Sequence, residues 1–111
     1  MTVIRTPKKI CQTASMTSSV TTVYTTPANT ITQVTELWLT NTSLNADYYI
    51  EIYAHGTAGG NMLAHVVIPK SSATIIDEAK IVLAAGEVLA TKTDGSTNVN
   101  LTVYGVEEVT S

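Results

Sequence analysis

Two histidines, His55 and His65, stand ten residues apart, with the glycine-rich stretch Gly56-Thr57-Ala58-Gly59-Gly60 between them. With Glu51 or Asp77 they supply the donor types of a zinc site, but such a site needs three or four donors held close, usually by short local spacing. The separation is too long for that, and a loop histidine and a strand histidine, each bonded locally, are the expected roles. The glycine stretch lacks the Lys-Ser/Thr and helix start of a phosphate loop, so it is read as a hairpin connection. The neighbouring acids Asp77-Glu78 and Glu107-Glu108 would point to opposite faces of a strand and form no carboxylate dyad. Asp94-Gly95-Ser96-Thr97-Asn98 resembles a calcium loop only faintly. No serine stands in a nucleophile elbow with placeable His and Asp partners. Cys11 is the single cysteine, which leaves no intrachain disulfide and, with no histidine near it, points to a packed or idle thiol. No catalytic residue, metal or cofactor is expected, and the chain reads as not an enzyme.

The aromatic residues carry the remaining chemistry, and their meaning depends on the strands that hold them. The longest β-type pattern runs from Val23 to Asn41. Pro27 interrupts sheet pairing, Ala28-Asn29-Thr30 turns the chain, and a long strand follows from Ile31. Its alternation sets Ile31, Gln33, Thr35, Leu37 and Leu39 on one face and Thr32, Val34, Glu36, Trp38 and Thr40 on the other. Polar Gln33 and Thr35 on the apolar face mark a bulge near Val34 that would exchange the faces. Tyr48–Ala54 alternates Tyr48, Ile50, Ile52 and Ala54 against Tyr49, Glu51 and Tyr53, and its expected partner is the preceding strand. Asn98–Val106 alternates Val99, Leu101 and Val103 against Asn98, Asn100, Thr102 and Tyr104. Trp38, Tyr49, Tyr53 and Tyr104 are therefore expected to face outward. Such rings serve as assembly anchors, as a face covered by the N-terminal arm, or as a platform for sugar rings.

The other segments fit the same class. Strands are expected near Val20–Thr25, at Met62–Ile68 (apolar on both faces and so covered on both), at Ala73–Ile76, at Ile81–Leu83 and at Val88–Thr93. Asp77–Lys80 reads as a helical turn or an edge bulge. About eight short strands with regular turn signals and no helix-period segment give an all-β fold, an antiparallel two-sheet β-sandwich of jelly-roll type. Residues 1–12 are expected as an extended arm with at most one short strand, and residues 13–111 as a single sandwich domain.

Composition bounds the partners. The chain of 111 residues is long enough for one core. Only 14% of residues are charged, against about 25% in ordinary domains, and charge depletion is a mark of subunit contacts. The net charge of −3 offers no footprint for nucleic acid. Arg5, Lys8 and Lys9 are three of the six basic residues and lie in the first nine positions, as a solvated tail or as an arm on a neighbouring subunit. No secretory pattern and no apolar run near ~18 residues is present, so synthesis in the cytoplasm and no membrane span are expected.

Val23-Tyr24-Thr25-Thr26-Pro27-Ala28-Asn29-Thr30 followed by Leu39-Thr40-Asn41-Thr42-Ser43 resembles the opening of small β-sandwich virion proteins of tailed bacteriophages. Ile68-Pro69-Lys70-Ser71-Ser72, Ile81-Val82-Leu83-Ala84-Ala85-Gly86-Glu87-Val88-Leu89 and Tyr104-Gly105-Val106-Glu107 resemble the same family's later turns and closing strand. The likeness spans roughly Val20 to Glu108 and leaves residues 1–19 unmatched. It implies a non-enzymatic structural subunit of the virion, a capsid decoration, neck or tail component, whose partners are copies of itself and other virion proteins. The contact residues expected from the residue reading are Trp38, Tyr49, Tyr53, Tyr104, Arg5, Lys8 and Lys9. The alternative is a carbohydrate-binding module for host-surface attachment, with a surface glycan as ligand.

Overall fold

The computed structural model describes residues 2–13, 17–95 and 97–110. Its strands are β1 (Val3–Thr13), β2 (Thr21–Thr25), β3 (Thr30–Asn41), β4 (Tyr48–Ala54), β5 (Met62–Ile68), β6 (Ser72–Ile76), β7 (Ile81–Leu83), β8 (Val88–Thr93) and β9 (Val99–Thr110), with one 3-10 turn at Gly59–Asn61. The turn residues follow local chemistry. Asn29 and Ser71 take left-handed φ angles of 57° and 54° in the turns before β3 and β6, and Gly86 takes 83° in the turn before β8.

One sheet has the order β1-β9-β3-β6, with β7 also on β3, and the other has the order β2-β8-β4-β5; every pairing is antiparallel. Strands β6 and β7 occupy one position, separated by the unpaired residues 77–80. Counted so, the pairing is nested: β1 with β9, β2 with β8, β3 with β6 and β7, β4 with β5. A long hairpin folded over in this way is the jelly roll. The expected eight-strand sandwich is thus present, but the expected pairing of the β3 segment with Tyr48–Ala54 is not. These two strands lie in opposite sheets, because the nested pattern joins residues distant in sequence.

The two inner faces meet in a core of Val34, Leu37, Leu39, Ile50, Ile52, Ile68, Leu83, Leu89, Val99, Leu101 and Val103, all at 2% exposure or less. Burial of each large aliphatic side chain contributes about 1.5–3 kcal/mol. Along β3 the register against β9 shifts between Val34 and Glu36, so Thr35 is a bulge. Thr32 and Val34 are buried before it, and Leu37, Leu39 and Asn41 after it. The faces exchange at the bulge, and Trp38 is thereby directed outward. Gly105 lies opposite Val34 at this point, and a Cβ there would stand 2.1 Å from the Gln33 carbonyl oxygen. Only glycine permits so close an approach of β9 to the bulge.

Two further expectations are corrected. The extended arm with at most one short strand expected in residues 1–12 is, from Val3 onward, the long strand β1, which pairs with β9 from Val3 to Thr13. Its residues Val3–Lys9 are exposed, a strand without cover on either face, which gives no alternation for a sequence reading to detect. Met62–Ile68 is an edge strand and not a doubly covered one: Met62, Leu63 and Val67 are exposed. The molecule is elongated, 53 × 26 × 20 Å.

Candidate interaction face

The outer face of the β1-β9-β3-β6 sheet gathers part of the expected contact set. Trp38 is opposite Ile75 on β6 and Thr102 on β9, and Tyr104 is opposite Glu36 on β3 and Lys9 on β1. Two adjacent rows result, Thr102–Trp38–Ile75 and Lys9–Tyr104–Glu36. Trp38 and Tyr104 are each 41% exposed and Ile75 45%. The indole Nε1–H donates to the Glu36 carboxylate, which fixes the ring's polar edge and leaves its apolar body to solvent. Exposed large apolar groups side by side, rather than singly, mark contact surfaces.

The remaining expected residues lie elsewhere. Tyr49 and Tyr53 are on the outer face of the other sheet. The ring of Tyr49 stacks on His65, with centroids 4.6 Å apart. The ring of Tyr53 was expected to be open, but only 5% of the residue is exposed; it stands opposite Met62 and Ala90, and its hydroxyl donates to Glu51 at 2.8 Å. His65 Nδ1 is 3.4 Å from the second oxygen of Glu51. His55 Nδ1 is 3.1 Å from Glu87, so each histidine has its own carboxylate. The Ala84 N–H and then His55 hold Glu87 below the ordinary carboxylate range. The grouping of His55 and His65 with Glu51 or Asp77 as one donor set is not formed, and no cluster of metal-binding type occurs among the described residues. The Asp94–Asn98 turn includes Ser96, which lies outside the described residues.

The basic residues of β1 diverge. Arg5 pairs with Glu108 at 3.4 Å on the surface, and Lys9 donates to Gln12 at 2.8 Å beside Tyr104. Lys8 reaches Glu107 at 3.0 Å. Glu107 also accepts from the Tyr24 hydroxyl at 2.7 Å, and that hydroxyl is 2.7 Å from Thr32 Oγ1. Tyr24 on β2 is thus tied to β3 and β9 of the opposite sheet. Burial pushes the Tyr24 phenol up to about 12, while the tyrosine hydrogen bond holds Glu107 below its ordinary value, with Lys8 adding to it. The sequence reading did not single out this cluster, nor Asn41. Asn41 is 1% exposed; its amide donates to the Ala46 and Ile68 carbonyls at 3.0 Å each, and its oxygen accepts from Ser43 N–H at 2.9 Å. Each is joined to partners on strands distant in sequence, so no local spacing pointed to them. Burial likewise raises the Cys11 thiol to about 11, which suits a packed cysteine.

The class defined by this topology is the jelly-roll β-sandwich. Two solved structures share it over nearly the whole chain. One is of Bacillus endospore appendages, described as a novel family of disulfide-linked pili (11% identity, 99% of this chain and 90% of the other, TM-score 0.58). The other is the cryo-EM structure of the virus-like particle of the extra small virus of the giant freshwater prawn Macrobrachium rosenbergii (17% identity, 100% of this chain and 81% of the other, TM-score 0.56). At these identities the likeness establishes the fold. No family model and no curated protein matches the sequence.

Proposed function

We propose that this chain is a non-enzymatic structural subunit of a tailed-phage virion, a capsid decoration, neck or tail component. It would self-associate or dock on other virion proteins through the outer face of the β1-β9-β3-β6 sheet. The observation that carries this reading is the exposed Trp38, set between Ile75 and Thr102 in mid-sheet with Tyr104 in the next row. The low charge content supports it. So does the use of the same fold in a pilus and in a virus-like particle.

The carbohydrate reading is the weaker one. His65 occupies one face of Tyr49 and Tyr53 is covered, so the free rings reduce to Trp38 and Tyr104. Mass spectrometry of purified particles together with a glycan array separates the two. The chain in stoichiometric amounts in particles, with no glycan bound, supports the structural reading. Absence from particles together with a glycan signal lost in Trp38→Ala would support the other.

A further inference from the structure

We propose that copies of this chain join side by side by strand addition. In this arrangement β1 of one copy pairs antiparallel with the β6–β7 edge of the next, continuing the five-stranded sheet from copy to copy. The inference rests on the self-association reading and supplies a second contact surface, distinct from the Trp38 face.

Strand direction permits it. Along β1-β9-β3-β6 each neighbour is antiparallel, so the two edges of the sheet run in opposite directions. A copy shifted sideways without being inverted therefore brings β1 against β6 and β7 as an antiparallel partner. Repeating one such step with a fixed rotation closes a ring or extends a filament.

The edges also match in length and in chemistry. β1 covers 11 residues, Val3–Thr13, and the opposite edge runs from Ser72 to Leu83, broken at 77–80. With Thr13 laid against Ala73, Pro7 falls opposite Ala79 in the break, Lys8 opposite Glu78 and Lys9 opposite Asp77. The residue that cannot donate to a ladder then meets the residues that do not form one. Exposed apolar groups occur on both edges: Val3 and Ile4 on β1, Val82 on β7. Charge is complementary. β1 carries Arg5, Lys8 and Lys9, while the break carries Asp77 and Glu78, both exposed and with no ion pair or hydrogen bond among the described residues; Lys80 closes the break. Pro and Lys are also found on edge strands that stay unpaired, which is the opposing outcome of the test.

The test is a charge exchange in a Trp38→Ala background, which removes the face contact. One variant carries Lys9→Glu, leaving Lys8 and its contact to Glu107 intact. The other carries Asp77→Lys. Circular dichroism establishes that each is folded, and light scattering after size exclusion gives the mass. The Trp38→Ala parent is expected to assemble as concentration rises, and each variant alone, with like charges across the contact, to remain monomeric. An equal mixture is expected to regain the parent's mass, because both mixed contacts again join opposite charges. A mixture that stays monomeric, or variants that assemble as the parent does, overturns strand addition. So does a Trp38→Ala parent that is monomeric while the wild type assembles; that result leaves the structural-subunit reading standing. A monomeric wild type overturns strand addition and the self-association it rests on, while presence of the chain in purified particles tests the structural-subunit reading separately.

Discussion

The Tyr24 hydroxyl donates to the Glu107 carboxylate at 2.7 Å and thereby joins the two sheets at one end of the sandwich. The same oxygen lies 2.7 Å from the hydroxyl of fully buried Thr32, and Lys8 closes the cluster from β1. Tyr24→Phe removes the donor and leaves the Thr32 hydroxyl and Glu107 each short of a partner. A loss of about 1–3 kcal/mol in urea unfolding is expected, since a hydrogen bond to a charged group contributes in that range. A change below a few tenths of a kcal/mol would show that the clasp carries no stability.

The pH dependence of that clasp has a definite sign. The carboxyl of Glu107 is held below its ordinary 4.5 in the folded chain, so the stabilisation is present above 4.5 and disappears as the pH falls through the lowered value. The Tyr24 phenol is raised from 10.0 to about 12. Its contribution is complete below 10 and is lost as the pH rises through 12. Thermal unfolding of wild type and Glu107→Gln at pH 7 and pH 3 tests the acid limb. The gap between the two proteins should be larger at pH 7 than at pH 3; a gap that widens in acid contradicts the assignment.

Gly105→Ala should be among the most damaging small substitutions in the chain. Its added Cβ meets backbone, 2.1 Å from the Gln33 carbonyl oxygen, so β3 and β9 must separate at the bulge. A loss of several kcal/mol, on the order of a buried large-to-small change, is expected. Gly60→Ala, which meets nothing within 4 Å, serves as the control and should change stability little. Equal effects at the two positions would contradict the close approach.

Asn41→Ala leaves the Ala46 and Ile68 carbonyls and the Ser43 N–H without their partner. Because the amide is buried between β3 and the end of β5, a loss of about 2–4 kcal/mol is expected by denaturant unfolding. Stability within 0.5 kcal/mol of wild type, taking ~0.5 as the ordinary surface effect, would assign Asn41 no such role.

Much of this architecture is written in side-chain alternation, and what is not has physical reasons. The faces of Asn98–Val106 are as the period-2 pattern gives them, from buried Val99 and Leu101 to exposed Tyr104. The exchange of faces in β3 was signalled by polar Gln33 and Thr35, and Trp38 faces outward because of it. Pairing partners were not legible. β3 and β4 are neighbours in sequence but lie in opposite sheets, since nested pairing depends on contacts between distant segments. Val3–Lys9, exposed on both faces, carries no alternation, so strand β1 read as an arm. Tyr53 follows the outward pattern yet is covered, because cover on an outer face depends on neighbouring strands rather than on its own. Of the expected contact residues, Trp38, Tyr104 and Lys9 share one face, Arg5 lies further along β1 beside Glu108, Lys8 turns to Glu107, and Tyr49 and Tyr53 occupy the other sheet.

Trp38 is the only tryptophan and is itself the proposed contact, so its emission reports on the interface without a label. The most direct measurement is Trp38 fluorescence and iodide quenching across a dilution series, with mass by light scattering on the same samples. If the β1-β9-β3-β6 face mediates assembly, mass will rise with concentration while the emission moves to the blue and quenching falls, and Trp38→Ala will lower the mass while remaining folded. A mass that rises with emission and quenching unchanged, or a chain that stays monomeric throughout, would contradict that central role for the face.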